Sequence, residues 1–226
     1  MESPIHRILT LTHDGSSTIY LPALHEHYHS IHGAWQESLH VYINTGLKAL
    51  PPLQEVHILE MGFGTGLNAL QSWEHALQNN IRIFYTTIEA YPLTEEDWAL
   101  LNYPQFSKNE GAEERMHQLH QAEWGNWQTL SPNFSLLKHS ATIQEIELTS
   151  GYDVVFYDAF APRVQPELWT EKIFRKISSY MKPGGILVTY CAAGAVKKNL
   201  IAAGFSIFAM PGPPGKREIT KALKPV

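Results

Sequence analysis

Apolar residues recur along the chain in two rhythms. One alternates or runs continuously over five to eight residues, as in strands. The other repeats every three to four residues, as in helices. Residues 7–21 contain "RILTL" and "STIYL" on either side of "THDGS", whose Asp-Gly step predicts a hairpin. Residues 22–35 are polar, histidine-rich and irregular. From 36 to 49, Leu39, Ile43, Leu47 and Leu50 stand at helical spacing, and "LPP" ends that helix.

After residue 51 strand and helix patterns alternate. "VHILEM" predicts a strand, "GFGTG" a turn and "LNALQSWEHALQ" a helix. "IRIFYTTIEA" is the next strand, and residues 92–131 read as two or three tryptophan-bearing helical segments. "FSLLKH" and "YDVVFYDAF" are strands. "QPELWTEKIFRKISSYM" is a helix with Pro166 in its first turn. "GGILVTYCA" is a strand and "AGAVKKNLIAAG" a helix ending at Gly204. "FSIFAM" and "REITKAL" form a closing hairpin across "PGPPGK". The alternation predicts an α/β fold with a mostly parallel sheet covered on both faces. It divides the chain into an N-terminal extension at 1–50 (hairpin, histidine-rich loop, helix) and a domain at 51–226.

Composition narrows the class. A hydrophobic fraction of 44% with 17% charged residues suits a globular protein, and no apolar run is long enough for a membrane span. The N-terminus lacks a basic-then-apolar leader, and the single cysteine, Cys191, excludes an internal disulfide. Together these predict a cytoplasmic location. The charge is uneven. Residues 1–159 hold 6 Lys and Arg against 19 Asp and Glu, a balance of −13, whereas residues 160–226 hold 11 against 3, a balance of +8. A basic third on an acidic chain suits either a local polyanion footprint or solvated helix faces.

The most informative local motif is "LEMGFGTGLN". A strand runs through Glu60 into Gly62, Gly64 and Gly66 and then into a helix that begins near Asn68. Glycines there let a ligand approach the main chain, and the helix N-terminus faces that ligand. A dinucleotide fingerprint would place the third glycine one residue later. The G-x-G-x-G spacing matches S-adenosylmethionine-dependent methyltransferases of the Rossmann-like class. Glu89, ending the second strand, is placed to accept ribose hydroxyls. Asp158 ends another buried strand, where a carboxylate can orient an amine or accept its proton; its structural alternative is a capping role. Phe160 or Trp169 beside it can stack on a base, and Asp153 at the strand start reads as a solvated end. Cys191 has no base at a defined spacing and reads as a small buried residue.

Several stretches coincide with one family. "HSIHGAWQESLHVYINTGL", "EMGFGTGLNAL", "DAFAPRVQPELWT", "YCAAGAVKKNLIAAGF" and "GPPGKRE" resemble the methyltransferase domain of the MnmC family of tRNA wobble-uridine enzymes and its standalone MnmD counterparts. The resemblance implies a class I methyltransferase fold with a seven-stranded sheet and S-adenosyl-L-methionine as cofactor. It implies methylation of the amine of 5-aminomethyl-2-thiouridine in the tRNA anticodon region, after upstream tRNA-modifying enzymes supply the aminomethyl group. The chain has no room for the FAD-dependent oxidoreductase domain of MnmC, so loss of that deglycylating activity is implied. Position by position, Gly62, Gly64 and Gly66 match the cofactor loop, Glu89 the ribose acid and Asp158 the active-site aspartate. Ser140 stands where the family's adenine-binding aspartate is usual; it brings a hydrogen bond without a charge.

The resemblance begins in the histidine-rich stretch. There His25, Glu26 and His29 spell H-E-x-x-H, a zinc signature only on a stable helix. Pro22 and Gly33 flank it, and few apolar residues support a helix, so no metal is expected. Tyr28, His29, His32 and Phe160 are the expected nucleotide contacts, with Glu37 as a helper to Asp158. Lys197, Lys198, Lys216 and Arg217 are the expected phosphate contacts. Three rivals stand beside this reading: an aminopropyl transferase of the spermidine-synthase kind, a zinc hydrolase on His25 and His29, and a non-catalytic RNA-binding module.

Overall fold

The structure is a computed structural model that describes residues 6–226. Among those residues two sheets form. The small one joins β1 (Ile8–Leu11), β2 (Ser17–Leu21) and β3 (Glu26–His27), all antiparallel. The expected Asp-Gly hairpin is β1–β2. Asp14 closes its turn by accepting from the Ser16 amide at 3.0 Å, and Gly15 takes φ 84°.

The large sheet contains β4 (Glu55–Met61), β5 (Arg82–Glu89), β6 (Gln128–Ser131), β7 (Phe134–Ser140), β8 (Tyr152–Tyr157), β9 (Met181–Thr189), β10 (Ser206–Pro211) and β11 (Glu218–Leu223). Its order is β10-β11-β9-β8-β4-β5-β7-β6. The five central strands β7, β5, β4, β8 and β9 run parallel, and the order reverses direction beside β4, between β5 and β8. A crevice opens at such a switch point, beyond the carboxyl ends of the strands. The sheet exceeds the expected seven strands by one. β6, "QTLS", is four mostly polar residues with a register shift at Thr129/Ser131, so it carries no apolar alternation to betray it.

β8 is buried at all six residues, as a strand covered on both faces must be. Val154 and Phe156 join one core with Ile58, Leu70, Trp73 and Tyr85. Val155 and Tyr157 join the other with Leu59, Phe174, Ile177 and Leu200. The first core also takes in Ile19, Val41 and Tyr42 from the N-terminal segment. The helices α2 (Leu67–Asn79), α3 (Glu95–Trp98), α4 (Ala112–Gln121), α5 (Glu171–Tyr180) and α6 (Gly194–Ala202) connect the strands. The helix around Pro166 is split. A 3₁₀ turn at Pro166–Trp169 precedes α5, whose N-cap Thr170 accepts from the Ile173 amide.

The segment expected as one helix over 36–49 is in three pieces: α1 (Ala34–Ser38), a π turn (Leu39–Asn44) and a 3₁₀ turn (Leu47–Ala49). The π turn inserts an extra residue, with the Thr45 amide reaching the His40 carbonyl at 3.1 Å. The buried face therefore rotates to Val41, Tyr42 and Ile43 instead of following the Leu39–Ile43 spacing.

Candidate active site

At the carboxyl ends of the central strands lies a cavity of about 980 Å³. Its floor is the glycine loop between β4 and α2. Gly62 has φ 91°, and a Cβ there would meet the Asp158 carbonyl at 2.9 Å. Gly64 has φ 48°, and a Cβ would press on the Tyr28 ring at 3.1 Å. Both positive φ values favour glycine, and at Gly62 the close backbone contact excludes a side chain as well. Gly66, with φ 73°, is the N-cap of α2 and lies behind the loop, outside the cavity lining.

The loop is held from four sides. The Gly62 amide donates to the Ile88 carbonyl at 2.9 Å, and the Gly64 amide to Glu89 Oε2 at 2.9 Å. His29 Nε2 lies 2.7 Å from Thr65 Oγ1, and His120 Nε2 donates to the Thr65 carbonyl at 3.1 Å. Burial pushes the His29 imidazole down to about 4 and the His120 imidazole down to about 3, so both are neutral at pH 7.

Glu89 also accepts from the Tyr91 amide at 2.8 Å, which fixes its carboxylate at the cavity wall. Each carboxylate oxygen keeps a lone pair for a hydroxyl. Glu60 lies beneath, fully buried, with Thr87 Oγ1 donating to it at 2.8 Å. Burial pushes its carboxyl up to about 8, so it is protonated at neutral pH. It supports the loop from below and does not line the cavity.

Asp158 follows β8 and faces the cavity across the loop. Tyr42 donates to its Oδ1 at 2.6 Å and Asn68 to its Oδ2 at 2.8 Å. Ser38 in turn donates to Asn68 Oδ1. Burial raises the Asp158 carboxyl to about 6, against the lowering by those two donors. At pH 7 it is a carboxylate that accepts a proton readily. Phe160, two residues on, meets Tyr28 edge-to-face at 5.2 Å on the cavity wall. Trp169 does not stack there; it is buried, and its indole holds the Phe160 carbonyl at 2.8 Å.

The remaining expected residues separate into two groups. Tyr28, His29, Glu37 and Lys216 line the cavity. Glu37 accepts from the Ser30 amide at 2.7 Å and from the Lys216 ammonium. His32, Ser140, Lys197, Lys198 and Arg217 lie outside the lining. Ser140 is exposed and pairs in register with Glu89; the following Ala141 and Thr142 line that side. Lys197 is tied to Glu218. Asp153, expected as a solvated end, is buried and bonded by Lys182 at 2.7 Å and by the His57 amide at 2.8 Å. Tyr42, Thr65, His120 and Tyr190 escaped the sequence reading. Tyr42, Thr65 and Tyr190 lie inside the quoted motifs, which could have flagged them, whereas nothing in the sequence marked His120.

His25 and His29 do not share a helix. β3 and its flanking turns occupy the stretch, and His25 Nδ1 lies 3.3 Å from the Tyr20 hydroxyl while His29 turns to Thr65. The geometry that H-E-x-x-H needs for zinc is absent.

The donor set suits an adenosine-bearing cofactor. A main-chain cradle that a Cβ would fill stands beside a fixed carboxylate for two hydroxyls. A family model described as S-adenosyl-L-methionine-dependent methyltransferase matches residues 114–225. The tRNA 5-methylaminomethyl-2-thiouridine biosynthesis bifunctional protein MnmC of Cupriavidus metallidurans is 31% identical over 94% of this chain and 33% of its own. Its counterpart in Methylobacillus flagellatus is 34% identical over 72% of this chain and 26% of its own. The chain thus spans about a quarter to a third of the length of these curated relatives. The crystal structure of MNMC2 from Aquifex aeolicus superposes with a TM-score of 0.76 at 25% identity, covering 98% of this chain and 71% of that one. No helix among the described residues is long and apolar enough to cross a membrane. With this fold, the glycine cradle and the Glu89 carboxylate fixed beside it, the chain belongs to the S-adenosyl-L-methionine-dependent methyltransferases, in the group that includes the methyltransferase part of MnmC.

Proposed function

We propose that the protein methylates the amine of 5-aminomethyl-2-thiouridine at the tRNA wobble position, giving 5-methylaminomethyl-2-thiouridine. The observation that carries this is Asp158, a carboxylate raised to about 6 and aimed by Tyr42 and Asn68 into the cavity beside the glycine loop. When bound, S-adenosyl-L-methionine supplies an electrophilic methyl group on a sulfonium. Gly62, Gly64 and Glu89 would hold the adenosine, and Asp158 would orient the attacking nitrogen. A neutral amine held there would present its lone pair to that methyl group, the sulfur taking the departing electron pair. The extra proton leaves to Asp158 or solvent. Tyr28 and Phe160 give the unstacked base an aromatic wall.

The names of the relatives support the tRNA substrate, and the anticodon region is the proposed docking partner. Upstream tRNA-modifying enzymes would supply the aminomethyl group, and the reaction would take place in the cytoplasm. Of the extension at 1–50, the described residues 6–50 would wall the acceptor side, and 51–226 would form the catalytic domain. Polyamine chemistry fits less well. Of the cavity's carboxylates, Glu26 is paired with Arg163 and Glu37 with Lys216. The test is nucleoside mass spectrometry. Incubation with methyl-labelled cofactor and tRNA carrying the amine should place one labelled methyl on that nucleoside and on no other. Label elsewhere, or none, overturns the proposal.

A further inference from the structure

Lys216 is a basic residue in the basic third of the chain, yet its half-buried side chain turns into the cavity and pairs there with a carboxylate. It sits at the end of the tight tip joining β10 to β11. There the Gly212 amide meets the Arg217 carbonyl at 3.2 Å, and the Lys216 amide meets the Pro213 carbonyl at 2.9 Å. The tip is seated on the N-terminal segment. Gly215, φ 84°, packs so closely on His32 that no Cβ fits, and His40 Nε2 donates to the Pro211 carbonyl at 2.8 Å. This places the Lys216 ammonium in the cavity, paired with the buried carboxylate of Glu37 and 4.1 Å from the centre of the Tyr190 ring.

The groups around that ammonium are few. α1 contributes Glu37, the end of β8 contributes Asp158, and the segment after β9 contributes Tyr190 and Cys191. The histidine-rich loop contributes His29, which faces the cavity, and His32, which is spent on Gly215. Arg217 lies outside the cavity, and Glu218 is tied to Lys197. Burial keeps Tyr190 and Cys191 protonated and His29 neutral at pH 7. On this side of the cavity, beyond the Glu26–Arg163 pair, the charges are therefore two carboxylates and one ammonium.

We infer that Lys216 is a positioning residue that keeps the acceptor amine neutral by cancelling Glu37, so that Asp158 is the one carboxylate the amine meets. The inference rests on the proposed amine substrate. A protonated amine has no lone pair to attack with, and each nearby carboxylate stabilises that protonated form. Removing Lys216 exposes two carboxylates and traps the substrate as an ammonium. Removing Glu37 leaves an unpaired cation that repels the ammonium.

The opposite signs supply the test. Single-turnover rates would be measured against pH with tRNA carrying 5-aminomethyl-2-thiouridine, for the wild type, Lys216→Met, Glu37→Gln, their double variant and Lys216→Arg. Cofactor affinity by calorimetry confirms that each variant is folded. Lys216→Met should move the acid limb of the rate up by about 1 pH unit or more. It should also lower KM for the tRNA while lowering kcat at pH 7, because the ammonium binds well and reacts poorly. Glu37→Gln should move the limb down and raise KM. The double variant should return both towards the wild type, and Lys216→Arg should keep the wild-type limb. Limbs that stay in place, or single variants that shift in the same direction, overturn the inference while leaving the amine substrate standing. Wild-type protein that transfers no methyl group refutes the substrate and the inference together.

Discussion

At the residue scale, burial decides which carboxylate does what. Glu60 has no solvent contact, and its Oε1 and the nearby Tyr85 hydroxyl have no other partner among the described residues. With no solvent around it, burial favours the uncharged, protonated form of Glu60. Its folded pKa, about 8, stands above the ordinary carboxylate value, so the folded state holds a proton that the unfolded chain has released. The stability this confers is complete at low pH and is lost as pH rises through that window, at up to ~1.4 kcal/mol per pH unit. Glu60→Gln keeps the shape and never ionises. Its stability advantage over the wild type should widen from about pH 5 to about pH 8 and then level off, which denaturant titrations at several pH values would show. A constant gap would mean that Glu60 is ionised in the fold. The motif letters made Glu60 visible in the sequence; its protonation was not visible, because that depends on what covers it.

At the element scale, the glycine loop is a strap pinned by distant side chains. Thr65 joins His29 from the N-terminal segment to His120 from the end of α4. Thr65→Val removes the hydroxyl and leaves the His29 ring nitrogen unpaired, at a cost of ~1–3 kcal/mol. Cofactor affinity by calorimetry should fall about tenfold while the fold persists; unchanged affinity would show that the strap is rigid without that bond. The sequence revealed the strand and helix order here because "VHILEM", "YDVVFY" and "LNALQSWEHALQ" carry clean apolar patterns. It hid β6, which is short and polar, and it misplaced the face of the 36–49 segment. A π turn breaks the 3.6-residue rhythm, and that break is what brings Tyr42 onto Asp158. The pins themselves were illegible, since they lie up to 55 residues from the loop they hold.

At the scale of the whole molecule, the +8 balance of residues 160–226 no longer reads as one patch. Lys216 is inside the cavity and Lys197 is tied to Glu218, which leaves Lys198 and Arg217 as the residues proposed to bind phosphate. tRNA affinity should fall with salt, and Lys198→Ala with Arg217→Ala should flatten the log–log slope by roughly 0.7 to 0.9 for each phosphate no longer neutralised. Cofactor affinity should stay unchanged. A wild-type slope in the double variant would move the footprint to the histidine-rich rim around residues 25–40.

The proposed function divides the labour across the cavity: Asp158 would serve the acceptor amine, while the glycine loop and Glu89 would serve the cofactor. Asp158→Ala separates the two. Methyl transfer to amine-bearing tRNA, measured alongside calorimetric cofactor binding, should drop by about 10²-fold or more, with cofactor affinity within a few-fold of wild type. Turnover that survives within a few-fold, or cofactor binding that disappears in step with turnover, would contradict this division.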